Sequence, residues 1–353
     1  MTLYTQQGAT SMDKIRIGII GAGTNTVSKH IPGLQAIDGV EIVSVCNRSQ
    51  ASSERVAKQF GIPAIYENWT ELIQADDTDA IVVGTWPYLH CATTLAAITA
   101  GKHILVEARM AMNAEEAHLM RDAAHENPDL VTQIVPSPMT LWADKTIQGL
   151  IAEGYLGDIL SVEVRAAGTF LDKEGPLQWR QNYDLSGMNI MAMGIWYEAM
   201  RRWVGDPLSV FAKGKTFVKM RKDPDTGLMC TVQIPEHIDI IMELACGAQG
   251  YMKVSAVQGL ADENGAAIYG SEGTIKMVGN TLLGAKRGDE ALQEIEIRDE
   301  DRGGWRVEEE FINAIIGVEK VTHTPFDVGL KYMEFTEAVN RSMAEEKTFS
   351  LPL

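Results

Sequence analysis

The residues Gly21-Ala22-Gly23-Thr24-Asn25-Thr26 follow an apolar run and open a segment of helical pattern. Strand, glycine turn and helix in that order are what a dinucleotide fingerprint requires. Gly21 permits a tight turn, and Gly23 lets the backbone approach a pyrophosphate lying on the free N–H groups of the helix N-terminus. Thr26 stands where a third glycine normally secures close helix–strand packing, which predicts a slightly looser turn. About 20 residues beyond the turn, where an acidic residue would hold the ribose hydroxyls of NAD, the chain reads Asn47-Arg48-Ser49. Asn47 has no charge to repel a 2′-phosphate, Arg48 can stack on adenine and pair with that phosphate, and Ser49 can donate to it. NADP is therefore favoured, and NAD is possible.

The elements that would position this turn alternate. Runs rich in Ile and Val at Ile15–Ile20, Val40–Cys46, 80–84, His103–Val106 and 131–135 resemble strands buried on both faces of a parallel sheet. Helical patterns at 28–37, 52–60, 93–100 and 114–125 separate them, so the first half is predicted to be a doubly wound α/β sheet. After a helical stretch at 144–153 the rhythm changes. Residues 159–167 alternate, a helix is predicted at 188–204, and strand-like runs follow at 210–218, His237–Leu244, 250–254 and 274–278. This predicts a large open, mainly antiparallel sheet with helices on one face and the other free for a partner. A last helix at 328–343 is expected to pack back on the first domain.

Of the 353 residues, 45% are apolar and 22% charged, ordinary for a globular chain of about two domains. With 31 Lys and Arg against 48 Asp and Glu, the net charge is −17. That argues against nucleic-acid and membrane partners but leaves room for a small anion in a local basic pocket. Cys46, Cys91, Cys230 and Cys246 are scattered, and no cluster has metal-ligand spacing, so neither a disulfide framework nor a metal site is expected. Residues 1–14 are polar and lack the pattern of a signal peptide, and no run approaches the roughly 20 apolar residues of a bilayer span. A reduced, cytoplasmic protein is expected, with Met12 as an alternative start behind a loose tail. Asp76-Asp77 and Glu308-Glu309-Glu310 read as solvated charges.

Several motifs together resemble the glucose–fructose oxidoreductase/inositol dehydrogenase (Gfo/Idh/MocA) family. They are Gly21-Ala22-Gly23, Thr85-Trp86-Pro87-Tyr88-Leu89-His90, Ala100-Gly101-Lys102-His103-Ile104-Leu105-Val106-Glu107, Gly154-Tyr155-Leu156-Gly157-Asp158-Ile159, Trp179-Arg180, the helix at 194–205 and Gly270-Ser271-Glu272-Gly273-Thr274. The resemblance covers nearly all of the chain after Lys14. It implies a Rossmann domain, taken as 14–136, and an α/β domain, 137–353, that binds substrate and builds a homo-oligomer, dimer or tetramer, through its open sheet. It implies an NAD(P)-dependent oxidoreductase acting on a small sugar-like, polyol or cyclic hydroxy substrate. Thr85, Trp86, Pro87 and His90 would lie beside the cofactor, with Glu107 near the nicotinamide ribose in an orienting role.

The family's catalytic pattern does not carry over. Its Glu-Lys-Pro reads Glu107-Ala108-Arg109, and the positions of its Asp and His, four apart on one helical face, are Ala192 and Trp196. None of Ala108, Ala192 and Trp196 can take a hydroxyl proton. Arg109, at the end of a buried strand, is assigned to the substrate, where a guanidinium grips a carboxylate through two parallel hydrogen bonds; the opposing reading pairs it with Glu107. Trp179, Tyr183, Asn189, Met193 and Trp196 join it as substrate-lining residues, and Trp86, Trp142 and Tyr197 belong either to that aromatic pocket or to the core. Tyr183 is the first candidate proton acceptor, Arg109 its catalytic companion, and Tyr197 and His237 further candidates. Three functions follow: an oxidoreductase with an atypical site, a redox-neutral lyase, glycosidase or isomerase holding its nicotinamide tightly, or a catalytically silent cofactor-binding subunit.

Overall fold

The computed structural model describes residues 14–353. The expected loose tail and the Met12 start lie outside them. Six strands, β1 (Ile15–Ile20), β2 (Val40–Cys46), β3 (Ala64–Ile65), β4 (Ala80–Val83), β5 (His103–Val106) and β6 (Thr132–Ile134), form a parallel sheet in the order β3-β2-β1-β4-β5-β6. The order reverses between β1 and β4, and the crevice at that switch point is where open α/β sheets take ligands. Ile17, Ile19, Ile81 and Val83 are buried on the two faces, which is why these strands read as runs rich in Ile and Val. The first helix passes through a π-helical step, Thr26–His30, before Ile31–Gln35.

The second sheet has nine strands in the order β16-β15-β14-β13-β7-β12-β11-β8-β17. They are β7 (Ile159–Gly168), β8 (Pro207–Lys215), β11 (His237–Leu244), β12 (Gln249–Gly259), β13 (Gly265–Gly270), β14 (Gly273–Val278), β15 (Thr281–Lys286), β16 (Gln293–Glu294) and β17 (Phe349–Ser350). Only β7 and β12 pair in parallel. β9 (Met220–Lys222) and β10 (Met229–Thr231) make a separate hairpin. On β11, Ile238, Ile240 and Met242 are buried while Ile241 and Glu243 are exposed, so one face meets the core and the other is bare.

The inner face meets the helices Met193–Val204 and Phe326–Glu345, and the latter also packs against Ala114–Glu126 of the first half. The helix predicted from 188 begins only at Met193: Gly187 and Met191 adopt left-handed φ values of 62° and 42°, and Gly187 runs so close to the Met112 backbone that a side chain would collide with it. An unpredicted helix, Val307–Ile315, returns to the first sheet, where Val307, Phe311 and Ile312 pack with Ile17 and Ile19. Among the described residues no helix is long and apolar enough to cross a membrane.

Candidate cofactor and substrate site

The glycine turn sits between the ends of β1 and β4. Gly21 has φ +83°, and a Cβ on it would stand 2.5 Å from Thr85. Thr26 is buried and its hydroxyl donates to the Gly21 carbonyl at 3.2 Å. Gly84 opposite supplies the space that the Thr26 side chain fills: a Cβ there would fall 2.0 Å from Thr26 Oγ1. Asn47 Oδ1 accepts from the Ala22 N–H at 2.6 Å and its amide donates to Ser52 Oγ at 3.1 Å, tying the turn to the end of β2. Ser49 caps the helix Gln50–Phe60 by accepting from the Ser52 N–H. Arg48 is exposed, pairs at 3.1 Å with Asp225 at the tip of the β9–β10 hairpin, and lies 5.8 Å from the Trp86 ring. Thr24 and Asn25 lie exposed on the turn. Along it runs a cavity of about 570 Å³, walled by Gly21, Gly23, Asn47, Arg48, Thr85 and Trp86. Thr85 Oγ1 is buried without a partner, and Gly23 leaves its cavity side clear, so the residues present fit a dinucleotide.

Beyond Thr85, with Pro87 buried at the start of a single turn, His90 is fully enclosed. Its ring nitrogens face the carbonyls of Arg109 at 2.8 Å and Thr85 at 3.1 Å, between the turns after β4 and β5, and the ring's single N–H donates to one of the two. Burial holds its pKa below the ordinary value and keeps the ring neutral.

Glu107 ends in a cluster the sequence did not reveal. Its Oε1 faces His30 Nε2 at 3.0 Å and accepts from the Asn25 amide, while Oε2 accepts from the Ala108 N–H at 3.0 Å. The other His30 nitrogen lies 2.5 Å from Glu308 Oε1, and Trp305 donates to the Glu308 carboxylate. Burial opposes charge on His30, but hydrogen bonds to the two glutamates outweigh it and raise its pKa to about 9. Burial likewise opposes charge on Glu107, and His30 and Asn25 outweigh it, holding the carboxyl below its usual range. The expectation of solvated charges at 308–310 therefore fails for two of the three. Glu308 and Glu310 are 4% and 2% exposed, Glu310 pairing with His323 and Gln133, because a helix turns adjacent residues onto different faces.

Arg109 is 3% exposed. Its guanidinium donates to the Met191 carbonyl, its Nε has no partner among the described residues, and no ion pair joins it to Glu107. Trp179 stacks on Trp86, centroids 5.9 Å apart and planes 16° from parallel, and Arg180 lies over the Trp179 ring, 4.1 Å from its centroid. Tyr183, 38% exposed, opens the short helix Tyr183–Ser186, which packs against Pro87–Leu89. Asn189 is buried and donates to the carbonyls of Ala111 and Ser186, and Met193 and Trp196 are buried in the first turns of their helix. Tyr197 belongs to the core instead, stacked on Phe335 at 3.9 Å, and Trp142 packs at the core's edge. His237 lies on β11 bonded to Asp239 and Ser255. Among the described residues no three His, Cys, Asp or Glu side chains are grouped to hold a metal ion.

Residues 15–134 match the Gfo/Idh/MocA oxidoreductase family with its NAD-binding Rossmann fold, and residues 145–276 match the GFO/IDH/MocA C-terminal domain. Glucose-6-phosphate 3-dehydrogenase of Bacillus subtilis is 30% identical over 217 residues, 59% of this chain and 60% of that protein. A glycosyl hydrolase family 109 protein of Shewanella baltica is 31% identical over 165 residues, 44% of this chain and 35% of that protein. The chain thus spans less than two thirds of either relative. The apo form of levoglucosan dehydrogenase shares the fold, with a TM-score of 0.85 at 21% identity over 97% of this chain and 99% of that one. Matched in both its domains, the chain belongs to the Gfo/Idh/MocA oxidoreductase family.

Proposed function

We propose that the protein binds a nicotinamide dinucleotide in the crevice between β1 and β4 and is an NAD(P)-dependent oxidoreductase acting on a small sugar-like, polyol or cyclic hydroxy compound. The observation that carries this is the cavity itself: it begins at Gly21 and Gly23, where a helix opens, and runs to Thr85 and Trp86. The bound dinucleotide would supply hydride exchange with the substrate carbon. Gly23 gives the backbone access to the pyrophosphate, and Arg48 exchanges Asp225 for a 2′-phosphate, which favours NADP. Glu107, kept ionised by His30 and Asn25, orients the nicotinamide ribose. Tyr183 takes the substrate proton and Arg109 steadies the charge that develops on the oxygen. Trp179, Asn189, Met193 and Trp196 shape the substrate side. The bare sheet face, where Phe211, Ile241 and Tyr269 are exposed, is the homo-oligomer contact, and the free cysteines fit a reducing, cytoplasmic setting.

A second reading, a redox-neutral enzyme that removes and returns the same hydride, is favoured by the loss of proton acceptors at Ala108, Ala192 and Trp196, and by the likeness to a glycosyl hydrolase family 109 protein. Absorbance at the reduced-nicotinamide band separates the two. The oxidoreductase gives a net change with NADP and a hydroxy substrate. The redox-neutral enzyme consumes substrate at constant absorbance, and a chain that binds no dinucleotide contradicts both.

A further inference from the structure

Where the family keeps its proton-handling side chains, this chain has gathered positive groups with no carboxylate hydrogen-bonded to them among the described residues, Glu107 acting on them only through space. Arg109 is enclosed, and among the described residues its one hydrogen bond is to the Met191 carbonyl and its Nε has no partner. Its stem crosses the first turn of the helix Met193–Val204: a Cβ built on Gly194 would stand 3.9 Å from Arg109 Cγ and Cδ. That helix has Ala192 as its N-cap, no side-chain cap and no acidic residue in its first turn, so its positive end is not neutralised either. A second guanidinium, Arg180, is held over Trp179 with no carboxylate bonded to it.

These groups oppose one another. Burial, and then the nearby charge of Arg180, pull the pKa of Arg109 down to about 10. A buried cation is costly unless an opposite charge meets it, and a cation at a helix N-terminus adds to that cost. Glu107 offsets part of that cost through space, but its oxygens are held by His30, Asn25 and the Ala108 N–H, and among the described residues no carboxylate is hydrogen-bonded to either guanidinium. The Nε of Trp196, two residues along the helix from Gly194, is a further buried donor without a partner. A set made of donors and positive ends is satisfied by an oxyanion.

We propose that Arg109, Arg180 and the N-terminus of the helix Met193–Val204 form a subsite for a carboxylate carried by the substrate. It rests on the functional reading above and narrows it: the hydroxy substrate is a sugar acid or related polyhydroxy carboxylate. A planar carboxylate suits Arg109, whose buried Nε–H is without a partner among the described residues and would supply a charge-assisted hydrogen bond. A phosphate on a neutral sugar shares the oxyanion chemistry and is the competing source.

Titrations of the full chain, saturated with NADPH and again without it, use D-glucuronate, acetate, D-glucose 6-phosphate and D-glucose, read by tryptophan fluorescence and calorimetry. The subsite predicts that glucuronate binds at least about 10-fold tighter than glucose, that acetate competes with it, and that Arg180→Gln weakens glucuronate by about 10-fold with NADPH affinity unchanged. Arg109→Gln repeats the loss of glucuronate binding, and the exposed Arg180 provides the variant whose fold is not at stake. Tighter binding of glucose 6-phosphate than glucuronate, equal binding of glucose and glucuronate, or no carboxylate binding in either titration overturns the proposal. Absence of NADPH binding would count against the dinucleotide reading instead, and the dinucleotide-free titration still decides the subsite.

Discussion

His30 is hydrogen-bonded to Glu107 at 3.0 Å, joining the helix that leaves the glycine turn to the end of β5. Because the same imidazole meets Glu308 at 2.5 Å, one protonated ring also fastens the late helix Val307–Ile315 to the first sheet. The π-helical step at Thr26–His30 is the local feature that accompanies this placement, and such steps often mark functional sites.

The charge on His30 makes stability depend on pH with a definite sign. Its folded-state pKa of about 9 lies above the unfolded value of 6.5, so the contribution is complete below pH 6.5 and is lost as pH rises through 9. Denaturant melts should show wild-type stability falling by on the order of 3 kcal/mol over that window. The His30→Gln variant should be less stable near neutrality and lack this slope. Parallel pH profiles for the two proteins would contradict the assignment.

Gly84→Ala tests the closure of the turn. The new methyl would lie 2.0 Å from Thr26 Oγ1 and 2.3 Å from the Gly21 carbonyl, and the second contact is backbone that cannot swing away. Overpacking of this kind typically costs about 1–3 kcal/mol. A lower melting temperature together with weaker dinucleotide binding is expected; a variant indistinguishable from wild type would show that the turn is not held as described.

Cofactor choice should follow Arg48 and its partner. Arg48→Ala is expected to weaken NADP binding by about 10-fold while leaving NAD binding unchanged, as loss of a charge-assisted contact does. Asp225→Asn should strengthen NADP binding slightly, by no more than about 5-fold, since an exposed ion pair contributes at most about 1 kcal/mol. Calorimetry with both dinucleotides checks this, and tighter binding of NAD by the wild-type protein would reverse the preference.

Ordinary turnover of neutral sugars should be negligible. Ala108, Ala192 and Trp196 leave no proton acceptor at the family's usual positions, and inositol or a simple aldose has no carboxylate for Arg109 to align with Tyr183. Rates on the order of 10 per second with either would show that the site turns over neutral polyols without that anchor.

The fold was largely legible because β1, β2, β5 and β11 carry their pattern in their own residues, mostly apolar in the first three and close to alternating in β11. β3, with two residues, is too short to show a period, and the helix Met193–Val204 starts late because left-handed turns at Gly187 and Met191 depend on contacts with a distant segment. The glycine turn was legible for the same local reason as β1. His30 and Glu308 were not: they are 278 positions apart and meet only because a late helix returns to the first sheet. Their trace in the sequence is a glutamate interleaved with Val307, Phe311 and Ile312 on an apolar helical face, where a solvated charge does not belong. Arg109 was legible as a residue at a strand end, but that no carboxylate is hydrogen-bonded to it among the described residues belongs to the tertiary structure alone.

The most direct measurement compares NADPH titrations of the wild-type protein and Gly23→Asp. A Cβ on Gly23 meets only the Gly84 carbonyl, at an ordinary 3.5 Å, so the variant should fold and melt like the wild type. The new carboxylate would nevertheless stand against the pyrophosphate position at the helix N-terminus, where a second negative charge repels it. Saturable NADPH binding by the wild type, abolished in a fully folded Gly23→Asp, is the predicted result. Equal binding by both proteins, or none by the wild type, would contradict the placement of the dinucleotide on this turn.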